Sequence, residues 1–404
     1  ESLMDELAEA LGMDPLELRR KNLLQQGDLT ITSQKLVQPT IISEMMEHVL
    51  EKTDYFAKRE AYKKQTGSKQ KGIGLITCYR GAGLGAETAD ASGCMVTALE
   101  DGTVLINSGT AENGQGLKTA YTQIVAEALG VRVEDIHHIG VDTHAIPDSG
   151  MTVASRGTVM GAQAMKKAAL ELRVMVLETA RQMLNASPLD EVIIEDSICY
   201  LKSDPAKSVP FSAVCNTRLW TGKQLSVYAW SEPKQLVFDH TTGQGDVFPT
   251  YSYGCVAAEV EVDLETGYVD VLKVTSAHDC GTVVNPDLAK GQIYGGIAMG
   301  MGLGVTEEVE VDKGKVGTPN FDSYIFPTAM DVPEMEAILF ECDDTEGTYG
   351  AKSLGEPATE GVGAAIACAI NNVLVRVKGE RLRRLPFDLE RVVLGKSLRA
   401  GGNA

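Results

Sequence analysis

The chain has 404 residues, of which 44% are hydrophobic and 23% are charged, a composition typical of a soluble globular protein. This length exceeds that of most single domains, so more than one packed unit is expected. The formal net charge of −19 argues against nucleic-acid binding, because proteins that bind nucleic acids present a basic face to the phosphates.

The cysteines and histidines indicate no metal site built from this chain. The eight cysteines are scattered and form no CxxC pair, and the six histidines form no HxH or HExxH pattern. Dispersed thiols in a chain of this size are typical of a cytoplasmic protein. The longest apolar run, 293–305, is interrupted by glycines and is shorter than the roughly 18 residues of a membrane span. We therefore expect a cytoplasmic protein that does not contact membranes.

The first part of the chain predicts helices. Ser2 precedes a leucine-containing helix that ends at Gly12, and Asp14 and Pro15 begin a second helix. Residues 44–64 predict a third, amphipathic helix. The apolar stripes of the first two helices have no obvious partner in the following hundred residues, so we expect them to pack on polypeptide outside this chain.

From Gly72 onwards, short strands alternate with long helices. The strands are predicted at 72–78, 94–99, 103–108, 256–262, 269–276 and 338–341, and the helices at 116–130, 153–184, 287–300 and 358–374. Asp101-Gly102 is a hairpin signal. Because the order shows no regular strand–helix–strand unit, an α+β fold is predicted, with mixed and antiparallel sheets packed against long helices.

Two glycine- or hydroxyl-rich loops precede predicted helices. In the first, Gly114 and Gly116 flank Gln115, so that backbone N–H groups could approach an anion while the Gln115 amide donates and accepts hydrogen bonds. An ordinary tight turn explains the same residues. In the second loop, 147–157, hydroxyls and free amides would converge on one spot, which fits either phosphate binding or plain N-capping.

Two further segments carry candidate polar side chains. Segment 279–296 contains Gln292 on a glycine-rich helix, where the glycines indicate either close helix packing or a glutamine that faces a ligand. In segment 350–357, Glu356 precedes Pro357, which has no N–H to bind the carboxylate. A carboxylate that is kept ionised by a helix N-terminus suits a general base, although a glutamate in this position is also a common helix cap.

In combination and in this order, these segments resemble a known family over nearly the whole chain. The matching stretches are 4–8, 71–74, 114–116, 152–157, 279–296 and 355–357. They resemble the molybdopterin-binding subunit of xanthine dehydrogenases, aldehyde oxidases and related molybdenum hydroxylases. By this resemblance, residues 1–66 would close the first molybdopterin-binding domain of the family. Residues 67–404 would form the second domain, with two subdomains divided near 185–240.

The resemblance implies roles for individual residues. Glu356 would be the catalytic base, which deprotonates a molybdenum-bound hydroxyl that attacks an electron-poor carbon. The residues that would hold molybdopterin with molybdenum are Gly114, Gln115, Gly116, Thr152, Ala154, Ser155, Gly157 and Gln292. The cytosine dinucleotide form of the cofactor is a candidate. Electrons would leave through [2Fe–2S] clusters and FAD on partner subunits, because this chain has no cluster-type cysteine spacing and no dinucleotide-binding turn.

Two departures from the family pattern qualify these expectations. The family's earlier cofactor- and substrate-facing elements belong upstream of Glu1, so the N-terminal half of the subunit is an expected partner, without which the chain is inactive. Leu84 stands where animal purine oxidases carry an aromatic residue. With Glu87, it is a candidate for the substrate pocket, although Glu87 also fits a plain loop carboxylate.

The resemblance leaves the substrate and the activity open. A small-molecule substrate, either a purine or another N-heterocycle, is preferred, and the enzyme is expected to be oligomeric. The alternatives are an aldehyde oxidase-type subunit and a cofactor-binding fragment without catalysis.

Overall fold

A computed structural model describes residues 1–88, 90–146, 148–187, 191–232 and 234–395. Pro147, the first residue of the predicted 147–157 loop, lies outside the described residues. The helices are α1 (Ser2–Ala10), α2 (Pro15–Asn22), α3 (Ile42–Lys52), α4 (Tyr55–Tyr62), α5 (Leu117–Leu129), α6 (Ala162–Met183), α7 (Phe211–Trp220), α8 (Pro286–Val305), α9 (Pro357–Glu360), α10 (Val362–Lys378) and α11 (Leu389–Leu394).

The main strands form two four-stranded sheets and a three-stranded sheet. The first sheet has the order β1 (Lys69–Gly81), β11 (Tyr251–Asp263), β12 (Val269–Asp279) and β15 (Glu334–Phe340). The second has the order β4 (Ile136–His138), β3 (Val104–Ser108), β2 (Ser92–Ala98) and β8 (Ser226–Ser231). The small sheet contains β5 (Val192–Glu195), β6 (Ile198–Leu201) and β7 (Asp204–Pro210). Short two-residue strands are β9 (Phe238–Asp239), β10 (Gln244–Gly245), β13 (Val311–Asp312) and β14 (Lys315–Val316).

The first sheet is covered by helices on both faces. Val256 and Val260 of β11 point to one face and pack with α8 and α10, whereas Tyr253 and Cys255 point to the other and pack with α2 and α3. This alternation follows from the two-residue period of a strand. The β1/β11 and β11/β12 pairs are antiparallel and the β12/β15 pair is parallel. The fold is therefore α+β with a mixed sheet, as the sequence predicted.

The second sheet is built entirely from the segment between β1 and β11. Helices α5 and α6 cover it, and the small sheet and α7 extend the same hydrophobic core. The subdomain division predicted near 185–240 does not coincide with a gap in packing, because Leu172, Val192 and Val227 all belong to this one core. The chain instead passes between the two layers after Gly81 and returns at Tyr251.

The N-terminal helices differ in part from the prediction. Leu16 of α2 is buried in the core that contains α3, so the expectation that α2 packs outside this chain is wrong. On α1, by contrast, Leu3 and Leu7 are exposed, as is Leu11 directly after the helix, whereas Ala8 is buried. The helix predicted at 44–64 is divided into α3 and α4, because Asp54 has a left-handed backbone with φ of 51°.

The helix predicted at 153–184 begins nine residues later. Ala154 and Ser155 both have positive φ values, 54° and 50°, which no right-handed helix contains. A single π-type turn, Gly157–Gly161, then leads into α6. The composition of this stretch favours a helix, but its first residues form a loop. This loop borders the candidate site.

Among the described residues, α9–α10 and not the 293–305 run has the length and composition of a membrane span. Residues Pro357–Lys378 are long and apolar enough to cross a membrane by length and composition alone, but 72% of the most apolar window is buried inside the protein. Helix α10 packs on β1, β11 and α8, which is the environment of a core helix.

Candidate functional site

All four loop segments singled out in the sequence meet at one cavity of about 550 Å³. It opens where the loops of the two sheet layers face each other. The predicted residues that line it are Gln115, Gly116, Thr152, Ala154, Ser155, Gly157, Gln292 and Glu356. Gly114 lies in the same turn but is exposed and is not among the lining residues. The chain therefore brings together side chains that lie up to about 240 positions apart in sequence.

Glycines allow the segments to approach this closely. A Cβ atom on Gly116 would lie 2.8 Å from Cδ1 of Leu288, so that the start of α5 touches α8 only because no side chain intervenes. A Cβ atom on Gly355 would lie 3.3 Å from Oγ of Ser155 and 3.8 Å from Oε1 of Gln292. The glycines in these motifs thus allow the loops to converge.

The amides at the start of α5 bind a carboxylate of the chain itself. Oε1 of Glu112 accepts the N–H groups of Gly114 at 2.8 Å and Gly116 at 3.0 Å, and Oε2 accepts that of Lys118 at 3.0 Å. Burial raises the pKa of Glu112, but the three N–H donors outweigh burial, so that the pKa lies below its usual value. An external anion at these amides, as the sequence suggested, would compete with Glu112.

Gln115 and Gln292, the two glutamines predicted to contact a cofactor, differ in their hydrogen bonding. Gln115 closes its own turn, because its Nε2 donates to the carbonyl of Ala111 at 2.9 Å and its Oε1 accepts the N–H of Asn113 at 2.5 Å. Gln292 is half-buried at the cavity wall, and its amide forms no hydrogen bond within the described part of the chain. Gln292 is therefore the more available of the two for a ligand.

The loop at 152–157 is held in place by the buried side chain of Arg156. The side chain of Arg156 is 1% exposed, forms an ion pair with Asp90, and donates to the carbonyls of Ser149 at 2.7 Å and Ala91 at 2.5 Å. Consecutive left-handed residues cost roughly 1–2 kcal/mol each, so this conformation needs such support.

Two hydrogen bonds connect the same loop to neighbouring segments. Oγ1 of Thr152 accepts the N–H of Ala111 at 2.8 Å, and the carbonyl of Ala154 accepts the N–H of Gly83 at 3.1 Å. The plain N-capping that the sequence also allowed does not occur here, because α6 starts only at Ala162.

Glu356 is fixed by Ser155 and Arg80. Its N–H donates to Oγ of Ser155 at 2.8 Å, and the Ser155 hydroxyl in turn donates to Oε2 of Glu356 at 3.0 Å. Arg80 approaches the same Oε2 at 2.9 Å. The carboxylate makes no capping hydrogen bond to α9, so the helix-cap alternative is excluded. Among the described residues, Oε1 forms no hydrogen bond, and Glu356 is one of the residues that line the cavity.

A fully buried ion pair holds the segment 350–356, which ends with Glu356. Nζ of Lys352 is 2.6 Å from Oδ2 of Asp279, and both side chains are 0% exposed. The N–H of Lys352 also donates to the carbonyl of Cys280 at 2.9 Å. Burial raises the pKa of Asp279, while the Lys352 ammonium opposes that rise. The pair fastens the 350–356 segment to the end of β12, and the sequence analysis did not single it out.

Leu84 and Glu87 are not among the residues that line the cavity. The N–H of Leu84 donates to Oδ2 of Asp90 at 2.8 Å, which folds this loop back, and Glu87 is exposed in a short 3-10 turn. Their assignment to a substrate pocket stays a prediction that this geometry does not support.

Comparison with known proteins identifies the family. Residues 48–333, more than half of the chain, match the family described as molybdopterin cofactor-binding domain. The chain belongs to the molybdopterin cofactor-binding family.

Relatives of this family member include several oxidoreductase subunits. The chain is 29% identical over 400 residues to the xanthine dehydrogenase molybdenum-binding subunit of Escherichia coli O157:H7, covering 97% of the chain and 51% of that protein. It is 30% identical over 406 residues to the nicotine 6-hydroxylase large subunit of Paenarthrobacter nicotinovorans, covering 97% of the chain and 48% of that protein. The molybdopterin cofactor-binding chain thus spans about half the length of these curated relatives.

Solved structures agree with this assignment of the fold. Quinoline 2-oxidoreductase from Pseudomonas putida 86 superposes with a TM-score of 0.84 at 26% identity, covering 97% of the chain and 50% of that chain. Aldehyde oxidoreductase from Desulfovibrio gigas superposes with a TM-score of 0.80 at 29% identity, covering 97% of the chain and 40% of that chain. The α+β architecture of the molybdopterin cofactor-binding chain is therefore that of molybdenum-hydroxylase subunits.

Proposed function

We propose that the chain is the C-terminal portion of the molybdenum-binding subunit of a molybdenum hydroxylase, with Glu356 as the general base of the reaction. The observation that carries this proposal is the position of the Glu356 carboxylate. It belongs to a residue that lines the cavity, makes no capping hydrogen bond to α9, and has one oxygen held by Ser155 and Arg80 while the other forms no hydrogen bond among the described residues.

The residues around the cavity fit a molybdopterin cofactor, which carries a polar pterin and phosphate. The cavity volume of about 550 Å³ lies within the usual range of ligand pockets. The Gln292 amide is available to donate to a pterin edge and to accept from it. Arg156 and Lys352 are also among the lining residues, but their side chains are buried and each is paired with a carboxylate, so the charge of both pairs is already neutralised within the protein.

Molybdopterin, when bound, supplies the molybdenum centre at which water-derived oxygen is transferred to an electron-poor carbon. The task of Glu356 is to accept a proton at Oε1, since Oε2 is engaged. Ser155 and Gly355 fix the direction of this carboxylate, and the buried Lys352–Asp279 pair fixes the segment that carries it. A base positioned in this way contributes typically about 10²–10⁴-fold to a rate.

A purine or another N-heterocycle is the proposed substrate class. Relatives named for xanthine and nicotine, and the similar structure named for quinoline, support this choice. An aldehyde is the second candidate, which the similarity to the Desulfovibrio gigas aldehyde oxidoreductase favours. Both candidates use the same glutamate.

The remaining partners belong to the proposal as well. The N-terminal half of the subunit, with residues 1–66 as the end of its cofactor domain, is required for activity, because the chain covers only about half of its relatives. Iron–sulfur and flavin partner subunits would receive the electrons through [2Fe–2S] clusters and FAD, and the assembled enzyme would be an oligomer in the cytoplasm. The cytosine dinucleotide form of the cofactor is part of the same proposal.

The test replaces Glu356 in the complete, assembled enzyme. In Glu356→Gln, turnover of hypoxanthine, nicotinate, quinoline and benzaldehyde should fall by about 10²-fold or more, because the base is lost while the shape of the side chain is kept. Bound molybdenum and pterin should remain at the level of the unmodified enzyme. The control is Glu334→Gln on β15, which removes an exposed carboxylate paired with Lys273.

Near-normal turnover in Glu356→Gln with full molybdenum content would refute the assignment of the base. An unmodified complex without molybdenum and pterin would instead favour a cofactor-free scaffold. The best substrate in the panel distinguishes heterocycle from aldehyde oxidation.

A further inference from the structure

We propose that Arg80 is a positioning residue that aims the Glu356 carboxylate, with Glu360 as the second anchor of the guanidinium. The inference rests on the proposed role of Glu356 as a base. Arg80 was not among the candidate residues of the sequence analysis. It lies at the cavity wall one residue before the end of β1, outside all four sequence motifs.

The backbone of Arg80 is fixed by the first sheet. Arg80 pairs with Ser252 in the antiparallel register of β1 and β11, and Oγ of Ser252 donates to the carbonyl of Ser353 at 2.8 Å. The strand that carries Arg80 is thereby connected to the loop that carries Glu356. The distance between the two backbones is thus set by sheet geometry and not by a flexible surface loop.

The guanidinium of Arg80 joins two carboxylates that lie one helical turn apart. Nη2 lies 2.9 Å from Oε2 of Glu356, and Nη1 contacts Oε1 of Glu360. The guanidinium is planar, so holding one end on Glu360 restricts where the other end can meet Glu356. Nε is buried and has no hydrogen-bond partner among the described residues. The interaction therefore uses the two outer nitrogens for the carboxylates.

The contact selects one oxygen of the carboxylate. Ser155 donates to Oε2 and the Arg80 guanidinium lies 2.9 Å from the same atom, which leaves Oε1 without a hydrogen bond among the described residues. Without Arg80, the side chain of Glu356, which is 44% exposed, could rotate about its last bonds and exchange the two oxygens. We infer that Arg80 lowers the number of carboxylate orientations and increases the fraction that is correctly aimed.

An ordinary exposed ion pair is the competing explanation. Arg80 is 33% exposed, and ion pairs at such positions often contribute little to folding. The two explanations predict different results when Arg80 is replaced. Loss of an ordinary surface ion pair would leave the turnover number unchanged, whereas loss of a positioning residue lowers it.

The first experiment measures the accessibility of Glu356 and does not depend on activity. The folded chain is treated with a water-soluble carbodiimide and glycine ethyl ester, and modification of the peptide that contains Glu356 is quantified by mass spectrometry. In Arg80→Met, the labelling rate of Glu356 should increase severalfold, because a carboxylate released from the guanidinium reacts more readily. Arg80→Lys should restore part of the protection.

A matched control breaks a similar arrangement elsewhere on the same sheet. Lys273 also bridges two carboxylates, Glu334 and Glu336, and none of these three residues lines the cavity. Lys273→Met should leave labelling of Glu356 unchanged. Thermal unfolding of each variant establishes that the chain remains folded during the treatment.

The second experiment uses the assembled enzyme with the fastest substrate of the panel. In Arg80→Met, kcat per bound molybdenum should fall by about 10- to 100-fold, the size expected for a misplaced catalytic group, while KM changes little. Glu360→Gln should give a smaller fall. In the Glu356→Gln background, adding Arg80→Met should cause no further loss, because Arg80 acts through Glu356.

The outcomes separate this inference from the proposed function. Unchanged labelling and an unchanged kcat in Arg80→Met, alongside an inactive Glu356→Gln, would overturn the role of Arg80 alone. If Arg80→Met lowers kcat by the same factor in the Glu356→Gln background, the role of Arg80 is overturned as well, because Arg80 then does not act through Glu356. An active Glu356→Gln enzyme would refute the assigned base, whatever Arg80 does.

Discussion

Buried charges near the cavity occur in pairs that join segments distant in sequence. Arg156 of the 152–157 loop forms an ion pair with Asp90, and Lys352 of the 350–356 segment forms one with Asp279. Removing one partner of such a pair typically costs about 3–5 kcal/mol, because the other charge stays buried without compensation. At the scale of single residues, these pairs hold the loops in place, and Glu356 contributes a carboxylate with one oxygen that forms no hydrogen bond among the described residues.

His278 is a buried histidine that makes the stability of the fold depend on pH. It is 0% exposed in β12, its Nε2 contacts Oγ of Ser276 at 2.8 Å, and burial lowers its pKa to about 4. In the unfolded chain, a histidine titrates near 6.5. Below that pH the unfolded state binds a proton that the folded state does not. The free energy of unfolding should therefore fall between pH 6.5 and about 4, by on the order of 3 kcal/mol.

Urea unfolding at a series of pH values tests this expectation by difference. The loss of stability on acidification should be smaller in His278→Gln than in the unmodified chain. His144→Gln is the control, because the side chain of His144 is 95% exposed and its loss should leave the pH dependence unchanged. Identical pH dependence in the His278→Gln variant and the unmodified chain would contradict the assignment.

At the scale of elements, the packing of α8 against α9 places the Glu356 segment. Gly296 of α8 faces α9 directly, since a Cβ atom there would lie 2.6 Å from the carbonyl carbon of Ala358. Gly300 is equally close to Val362, at 2.5 Å. These glycines are on one side of α8, and they determine how near the helix comes to the segment that begins with Pro357.

Two adjacent alanine substitutions on α8 should therefore have opposite effects. Gly296→Ala should destabilise the chain by about 1–3 kcal/mol, because the new methyl group overlaps the backbone of α9. Gly295→Ala should stabilise it by roughly 0.5–1 kcal/mol, because a Cβ atom there meets nothing within 4 Å and alanine favours the helix. Urea unfolding of both variants measures the difference, and equal effects would show that α8 and α9 are not in tight contact.

At the scale of the whole molecule, two sheet layers enclose the cavity, and several large apolar side chains between residues 303 and 330 are exposed. Pro327 packs against α8, because a Cβ atom on Gly302 would lie 2.8 Å from its Cδ. Leu303 next to Gly302, and Phe321, Phe326 and Met330 around Pro327 in the sequence, are all exposed; the rings of Phe321 and Phe326 are in contact, and Met330 is 92% exposed. Apolar patches of this kind usually contact another polypeptide. Under the proposed function, that polypeptide is the other half of the subunit.

The isolated chain should consequently self-associate. Sedimentation velocity of the chain without its partners should show oligomers at micromolar concentration, and replacing Phe321 and Met330 together with serine should reduce them. Val237→Ser is the control, since Val237 is also highly exposed but lies in a different part of the chain. Monomeric behaviour of the unmodified chain at all concentrations would show that this surface does not mediate association.

The sequence was informative wherever local spacing reflects local physics. The strands predicted at 256–262 and 269–276 and the hairpin at Asp101-Gly102 are all present in the structure. The same local information could not reveal the left-handed pair at Ala154 and Ser155, because both residues favour other conformations when no long-range contact holds them.

By itself, the sequence determined the α+β fold class, the identity of the four segments and the family to which they belong. Only the tertiary structure decided that Glu112 occupies the amides of α5, that Gln292 rather than Gln115 is free, and that Arg80 holds Glu356. The physical reason is that these contacts join residues that are distant along the chain and have no shared spacing. Ser155 and Glu356, for example, are 201 positions apart, and only the packing of two sheet layers brings them within hydrogen-bonding distance.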